Sequence, residues 1–133
     1  MKKTIIVSLA FLSLNFLALA LGGLFTADGV SSDWYQTLNK APWTPPGWVF
    51  GAAWTFLMCC FTVFMTMRWS KDQDRKKTLF LYSIQWILNV SWNPIFFYLH
   101  QNLLGLIDIT LLLFVVIVLG ITTLRTLRFH TLW

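Results

Sequence analysis

The chain has 133 residues, of which 57% are hydrophobic, 17% aromatic and only 11% charged. A water-soluble domain needs more charged residues to cover its surface, so this composition indicates an integral membrane protein and leaves no room for a separate soluble domain. The net charge is +5. No basic run interleaves with aromatic residues as in a nucleic-acid-binding element, so we expect no nucleic-acid partner.

Four apolar runs are long enough to cross a hydrocarbon core of about 30 Å, which takes roughly 20 helical residues. Backbone groups in lipid must pair within their own segment, so each run is predicted to be a helix. The predicted fold class is therefore all-α, a polytopic membrane helix bundle that forms one domain over residues 1–133. Its four spanning helices are predicted at residues 4–25, 47–69, 78–99 and 103–124.

The basic residues predict the orientation of this bundle in the membrane. If four helices alternate in direction, Lys40 alone falls on one side, and all other Lys and Arg residues fall on the opposite side. These are Lys2, Lys3, Arg68, Lys71, Arg75, Lys76, Lys77, Arg125 and Arg128. By the positive-inside rule, both ends of the chain are predicted to be cytoplasmic.

The first apolar run carries a polar stripe. Ser8, Asn15 and Gly22 are spaced seven residues apart, so they lie close to one helical face. An amide near mid-membrane, such as Asn15, must face protein or a cavity, because lipid would leave it unpaired. The stripe therefore either packs against another helix or lines a ligand cavity.

The segment 26–46 is predicted to be a lid loop on the non-cytoplasmic side. Ser32 and Asp33 can cap a short turn of helix, and Pro42 prevents that helix from continuing. Aromatic residues are common at membrane interfaces. Here, however, four of them gather around a Pro-Pro-Gly corner, namely Trp34, Tyr35, Trp43 and Trp48. This stiff aromatic segment is predicted to cover whatever the helices enclose.

The second run begins after Pro45 and Pro46, which suit the start of a helix because a missing N–H costs nothing there. Gly47 and Gly51 are four residues apart and permit close approach of another backbone. That approach occurs either inside the monomer or in a homodimer. Trp54 lies two turns along the same face, where it fills space or lines a pocket.

The third run is the most polar. Gln85, Asn89 and Asn93 fall four apart on one face, and Trp92 adjoins them. Three amides in a membrane are costly unless they form hydrogen bonds. They are either glue between helices or a polar wall that orients a ligand inside an aromatic cavity. Pro94 is expected to kink the helix.

The fourth run contains the carboxyl group of Asp108, and we expect no Lys or Arg inside the membrane to pair with it. Such a carboxyl group marks a functional site or packs helices together. The chain has no glutamate, and no His, Cys or Asp spacing suggests a metal site. The adjacent Cys59 and Cys60 point apart on one helix, so the sequence implies no disulfide. We therefore expect no catalytic residue, no metal and no cofactor.

Three blocks of sequence carry a resemblance to a known family. They are Trp34-Tyr35, Trp43-Thr44-Pro45-Pro46-Gly47 followed by Trp54, and Asn89 followed by Trp92 and Pro94. Together they resemble the translocator protein family, also called tryptophan-rich sensory proteins or peripheral-type benzodiazepine receptors. The resemblance covers nearly the whole chain.

The resemblance implies a bundle of five helices in a bacterial inner membrane, with a cavity beneath the first loop that binds porphyrins, sterols and synthetic apolar drugs. Carried over by motif, the ligand-binding residues are Trp34, Tyr35, Pro45, Trp54, Asn89 and Trp92. Gln85 and Asn93 are added because they share a helical face with Asn89. The chain stops at residues 130–133, where the fifth helix should begin, so it is either truncated or a four-helix variant.

Three functions remain open at this point. The first is a receptor or sensor that binds tetrapyrroles, such as protoporphyrin and heme precursors, or sterol-like molecules, and regulates or transports them. The second is an enzyme that degrades porphyrins with light and oxygen through cavity tryptophans. The third is a small transporter in which Asp108 acts as a proton-linked switch. Aromatic surface and amides favour binding over catalysis, and lipid is the expected surrounding partner.

Overall fold

The computed structural model describes residues 2–71 and 74–131, the last six of them by their backbone only. These residues are helical almost throughout and include no β-strand, which confirms the all-α prediction. The elements in chain order are α1 (Lys2–Ser31), α2 (Asp33–Thr37), α3 (Gly47–Lys71), α4 (Arg75–Asn93), a π-helix (Pro94–Tyr98) and α5 (Asn102–Thr131). The side chains of Arg128 and of residues 130–133 lie outside the described part. Arg128 belongs to the prediction of orientation, and residues 130–133 to the prediction about a fifth helix.

Three helices among the described residues are long and apolar enough to cross a membrane. They are α1, α3 and the Asn102–Arg125 part of α5. The predicted span 78–99 is not one of them. α4 begins with three consecutive basic residues and carries the three amides Gln85, Asn89 and Asn93, which we call the amide stripe. At Pro94, where the sequence predicts a kink, the chain continues as a π-helix, and Leu99 N–H donates to the Pro94 carbonyl at 2.9 Å.

α1 continues to Ser31, beyond the end predicted at residue 25. The extra turn is held by tertiary contacts that the sequence pattern does not show. Thr26 Oγ1 donates to the Asn93 side chain at 2.7 Å, and Gly29 packs directly against Phe97. The predicted lid loop 26–46 is therefore shorter, and it contains α2. We call residues 32–46 the lid segment.

α1 packs along both α3 and α4, and α5 packs along α4. A chain of buried hydrogen bonds joins α1, α3 and α4 near their middle. Asn15 Nδ2 donates to Thr62 Oγ1 at 2.9 Å, and Asn15 Oδ1 accepts from the Tyr82 hydroxyl at 2.8 Å. Phe11 packs edge-on against the Tyr82 ring beside these hydrogen bonds. Of the two readings of the Asn15 stripe, the structure therefore supports helix packing at Asn15.

Replacing Asn15 by leucine should destabilise the bundle by leaving the Tyr82 hydroxyl buried without its acceptor. Hydrogen bonds between membrane helices are worth about 0.5–1.5 kcal/mol, and a stranded buried hydroxyl adds to that loss. The double variant Asn15→Leu/Tyr82→Phe strands no hydroxyl, so it should recover part of the stability. Thermal unfolding of the four proteins in detergent measures this coupling. Strictly additive losses would mean that the two side chains do not interact.

Arg68, which the sequence predicts among the cations on the cytoplasmic side, is buried in the bundle, with 3% of its surface exposed. Its Nε donates to Thr78 Oγ1 at 2.8 Å. Its Nη1 donates to Thr122 Oγ1 and Thr123 Oγ1 at 2.7 Å each, and to the Leu119 carbonyl at 3.1 Å. Arg68 thus links α3 to α4 and α5 through hydroxyl groups and one backbone carbonyl.

Candidate functional site

A cavity of about 660 Å³ lies beneath the lid segment, and we call it the lid cavity. Its walls come from α1, α3, α4, the π-helix and the lid segment, whereas α5 contributes no residue to the described lining. The α1 wall is built from small or apolar residues, which are Ala18, Leu19, Gly22, Gly23 and Val30, together with Thr26. These small side chains leave room for the cavity between α1 and the two neighbouring helices.

The lid segment is fastened at its start, as the capping prediction for Ser32 requires. Ser32 Oγ accepts from the Tyr35 N–H at 3.3 Å and donates to the Gly29 carbonyl at 2.6 Å. The Tyr35 ring packs against Phe97, and the Lys40 ammonium lies 4.3 Å from the centre of the Tyr35 ring. Five residues of the lid segment line the cavity: Tyr35, Leu38, Lys40, Thr44 and Pro45.

Two tryptophans from different helices form an aromatic wall. Trp54 of α3 and Trp92 of α4 both line the lid cavity, and their ring centres are 6.5 Å apart. Trp92 stacks almost parallel on Phe96 at 5.5 Å and meets Phe97 edge-on at 5.8 Å. These contacts hold the Trp92 ring in place before any ligand arrives.

The polar groups of the cavity come from the amide stripe of α4. The Asn93 side chain already forms two hydrogen bonds within the protein: its Oδ1 accepts from Thr26 Oγ1, and its Nδ2 donates to the Asn89 carbonyl at 3.3 Å. The Asn89 side chain is different. It is 6% exposed and lines the cavity, yet within residues 2–71 and 74–125 its amide forms no hydrogen bond. A buried amide of this kind is available to a ligand.

The structure brings six of the eight predicted ligand-binding residues to the lid cavity, namely Tyr35, Pro45, Trp54, Asn89, Trp92 and Asn93. Trp34 and Gln85 do not line it. Trp34 stacks on His100 at 4.2 Å and meets the cavity residue Phe96 edge-on at 5.4 Å. Gln85 lies one turn of α4 beyond Asn89 and is buried; its Oε1 has no hydrogen-bond partner among the described residues.

Trp43 of the lid segment and Trp48 of α3 do not line the cavity either. Trp43 is 80% exposed and Trp48 is 75% exposed. The predicted ligand-binding residues include none from the α1 wall, although the predicted polar stripe of α1 contains Gly22. A methyl group at Gly22 would overlap Asn93 Nδ2, so glycine at this position lets the Asn93 side chain lie against α1. A run of small residues on one face of α1 was the signal for this wall.

Asp108 lies outside the lid cavity. It is buried, and its Oδ1 accepts from Ser91 Oγ at 2.8 Å, which links α5 to α4. Its Oδ2 has no hydrogen-bond partner among the residues that the structure describes. The carboxyl group therefore connects two helices outside the lid cavity.

The fold and the cavity define a helical membrane protein with an aromatic pocket beneath a short lid. The family model described as TspO/MBR matches residues 10–132, and the chain belongs to that family. It is 36% identical over 104 residues to the tryptophan-rich protein TspO of Archaeoglobus fulgidus, which covers 76% of this chain and 63% of the relative.

Two further relatives show how widely this similarity extends. The chain is 38% identical over 88 residues to the tryptophan-rich sensory protein of Cereibacter sphaeroides, covering 65% of this chain and 54% of the relative. It is 32% identical over 99 residues to the translocator protein of Bos taurus, covering 69% and 59%. The alignments thus span less than two thirds of the length of each of these three relatives.

Proposed function

We propose that this protein is a receptor or sensor that binds a large, flat, mostly apolar molecule in the lid cavity. A tetrapyrrole such as protoporphyrin is the expected ligand, and sterol-like molecules are the second class. The observation that carries the proposal is the combination of the Trp54–Trp92 wall with the Asn89 amide, which is buried and faces the cavity. Flat aromatic surface binds the face of a macrocycle, and one amide fixes its orientation.

The size and chemistry of the lid cavity support this ligand class. Small-molecule sites usually enclose about 300–1,000 Å³, with mostly apolar walls and a few polar groups. The lid cavity has about 660 Å³, and its walls are mainly apolar. Lys40 lies on the lid side of the cavity, where its ammonium group suits the carboxylate of a porphyrin side chain.

The names of the relatives support a binding role as well. One relative is called a sensory protein and another a translocator protein. We propose on this basis that ligand binding regulates the ligand's metabolism or its movement across the membrane.

We also propose a topology for this binding protein. α4 together with the π-helix forms a fourth spanning segment, and the lid faces away from the cytoplasm of a bacterial inner membrane. Lys3 and Arg75 line the same depression at the end of the bundle opposite the lid, while Lys40 lies on the lid itself. This separation of basic residues favours a cytoplasmic N-terminus.

A porphyrin titration tests the binding site. We expect Trp54→Ala to raise the dissociation constant of protoporphyrin about tenfold or more, because stacking on one aromatic side chain is worth about 1–3 kcal/mol. Asn89→Ala should weaken binding about three- to tenfold, by the loss of one buried hydrogen bond. The absorbance of the porphyrin, followed in purified protein in detergent, gives both constants without relying on tryptophan fluorescence.

The matched control for this titration is Trp43→Ala. It removes a tryptophan of the lid segment that is exposed and does not line the lid cavity. It should bind protoporphyrin as the unaltered protein does. Equal affinity of Trp54→Ala and Trp43→Ala would reject the lid cavity as the porphyrin site.

A further inference from the structure

A second depression lies at the end of the bundle opposite the lid, between the start of α1, the end of α3 and the start of α4. It encloses about 380 Å³, and we call it the basic groove. Two cationic side chains line it, Lys3 from α1 and Arg75 from α4. They are 72 positions apart in the sequence, so the fold itself brings these charges together.

The Arg75 guanidinium is held in a defined position. Its central carbon lies 5.1 Å from the ring centre of Trp69, which also lines the basic groove. The Trp69 ring is fixed in turn by an edge-on contact with Phe11, 6.0 Å between ring centres, in the core of the bundle. A guanidinium that lies on an aromatic face keeps its N–H groups at its edges, where they can donate in pairs to a phosphate.

The charge around the basic groove is strongly positive. Lys76 and Lys77 follow Arg75 in the first turn of α4, and Lys2 precedes Lys3 in the first turn of α1. The nearby carboxylate of Asp74 caps α4, and its Oδ1 accepts from the Lys77 backbone N–H at 3.1 Å. An anion in the groove would therefore be attracted by several cations.

The α1 side of the basic groove becomes aliphatic beyond Lys3 and Thr4, whereas Thr66 and Ser70 line the α3 side. Ile6 and Val7 line the groove from α1, and Ile6 is 67% exposed. Ile6 is one turn further along the membrane-spanning helix than Lys3, so the groove passes from cations at the end of the bundle to aliphatic surface deeper along it. A free phosphate ion would use only the cations. A phospholipid would use both parts, since its phosphate is joined to acyl chains.

We propose that the basic groove is a binding site for the headgroup of an anionic phospholipid. Arg75 and Lys3 contact the phosphate, and the first carbons of the acyl chains lie along Ile6 and Val7. Basic pockets between membrane helices are known to hold anionic headgroups, which basic residues near the membrane surface attract. This site is separate from the lid cavity and does not depend on the ligand proposed there.

Lipid titration of the purified full chain, followed by native mass spectrometry, tests this site. The probes are dioleoyl phosphatidylglycerol, which is anionic, and dioleoyl phosphatidylcholine, which has the same chains and no net charge. We expect the unaltered protein to bind the anionic lipid about tenfold more tightly. The double variant Lys3→Gln/Arg75→Gln should lose this preference, because both cations that line the groove are gone.

Lys2→Gln/Lys77→Gln is the matched control. It removes the same charge from the same two helices, at positions that do not line the basic groove. It should keep most of the preference for phosphatidylglycerol. An equal loss in the two double variants would mean attraction by surface charge alone and would overturn the site, as would equal binding of the two lipids by the unaltered protein.

A third arm distinguishes the lipid from its headgroup. Glycerol 3-phosphate, which lacks acyl chains, is added as a competitor. We expect it to displace phosphatidylglycerol only weakly, because it cannot contact Ile6 and Val7. Displacement at concentrations similar to those of the lipid would assign the groove to a small soluble phosphate and overturn the lipid proposal. Thermal unfolding of each variant confirms that these exposed substitutions leave the bundle folded.

Discussion

Replacing Gly51 by leucine is expected to block ligand binding in the lid cavity while leaving the bundle folded. Gly51 belongs to the face of α3 that lines the cavity, at the helical spacing i, i+3, i+4 and i+7, with Gly47, Phe50 and Trp54. Apart from its chain neighbours and its own helix backbone, no atom of the described residues lies within 4 Å of a Cβ atom at Gly51. The leucine side chain can therefore enter the cavity beside Trp54 without moving the backbone.

We expect the dissociation constant for protoporphyrin to rise at least tenfold in Gly51→Leu, because the leucine occupies the space in front of the aromatic wall. Unfolding temperature should not fall, since leucine favours a helix by up to about 1 kcal/mol over glycine. Gly120→Leu is the matched control: Gly120 lies in α5, has equally open space and does not line the lid cavity. Unchanged porphyrin affinity in Gly51→Leu would place the ligand elsewhere on the protein.

The helices and much of the candidate site could be predicted because the constraint behind them is local. Lipid forces every apolar run to satisfy its own backbone, so α1, α3 and α5 follow from hydropathy alone. The cap at Ser32 follows from the sequence that surrounds it. Asn89, Trp92 and Asn93 lie together because residues three or four apart share a helical face.

The depth of the lid cavity could not be read from the same periodicity. The spacing of four that joins Asn89 to Asn93 also includes Gln85, although the cavity ends one turn earlier on α4. A helical pattern gives the direction of a side chain around the axis, but the floor of a cavity depends on what the neighbouring helices place at that level. Directions within the lid segment are likewise set by packing, which turns Trp34 towards His100 and leaves Trp43 exposed.

The position of Arg68 shows a similar limit. A basic residue near the end of an apolar run is normally placed at the membrane interface. Its burial depends on hydroxyl groups that other helices supply, Thr78 from α4 and Thr122 and Thr123 from α5. Partners more than fifty residues away along the chain, such as the two α5 threonines, leave no mark in the local sequence around Arg68.

Replacing Gly29 by alanine should cause a large loss of stability. A Cβ atom at this position would overlap the Cβ and two ring carbons of Phe97. Phe97 cannot easily move, because it is buried and its ring is in contact with Trp92, Phe96 and Tyr35. Forcing extra volume into a packed site of this kind costs about 1–3 kcal/mol, and this overlap is with a ring that is held on several sides.

The change at Gly29 should also weaken ligand binding, since two parts of the lid cavity depend on this contact. Phe97 lines the cavity, and the Gly29 carbonyl accepts the hydrogen bond from Ser32 that fastens the lid segment. Thermal unfolding and porphyrin titration measure the two effects.

Gly120→Ala is the control, since a methyl group there meets open space and alanine favours the helix. If Gly29→Ala and Gly120→Ala unfold at the same temperature, α1 and the π-helix are packed less closely than the structure requires.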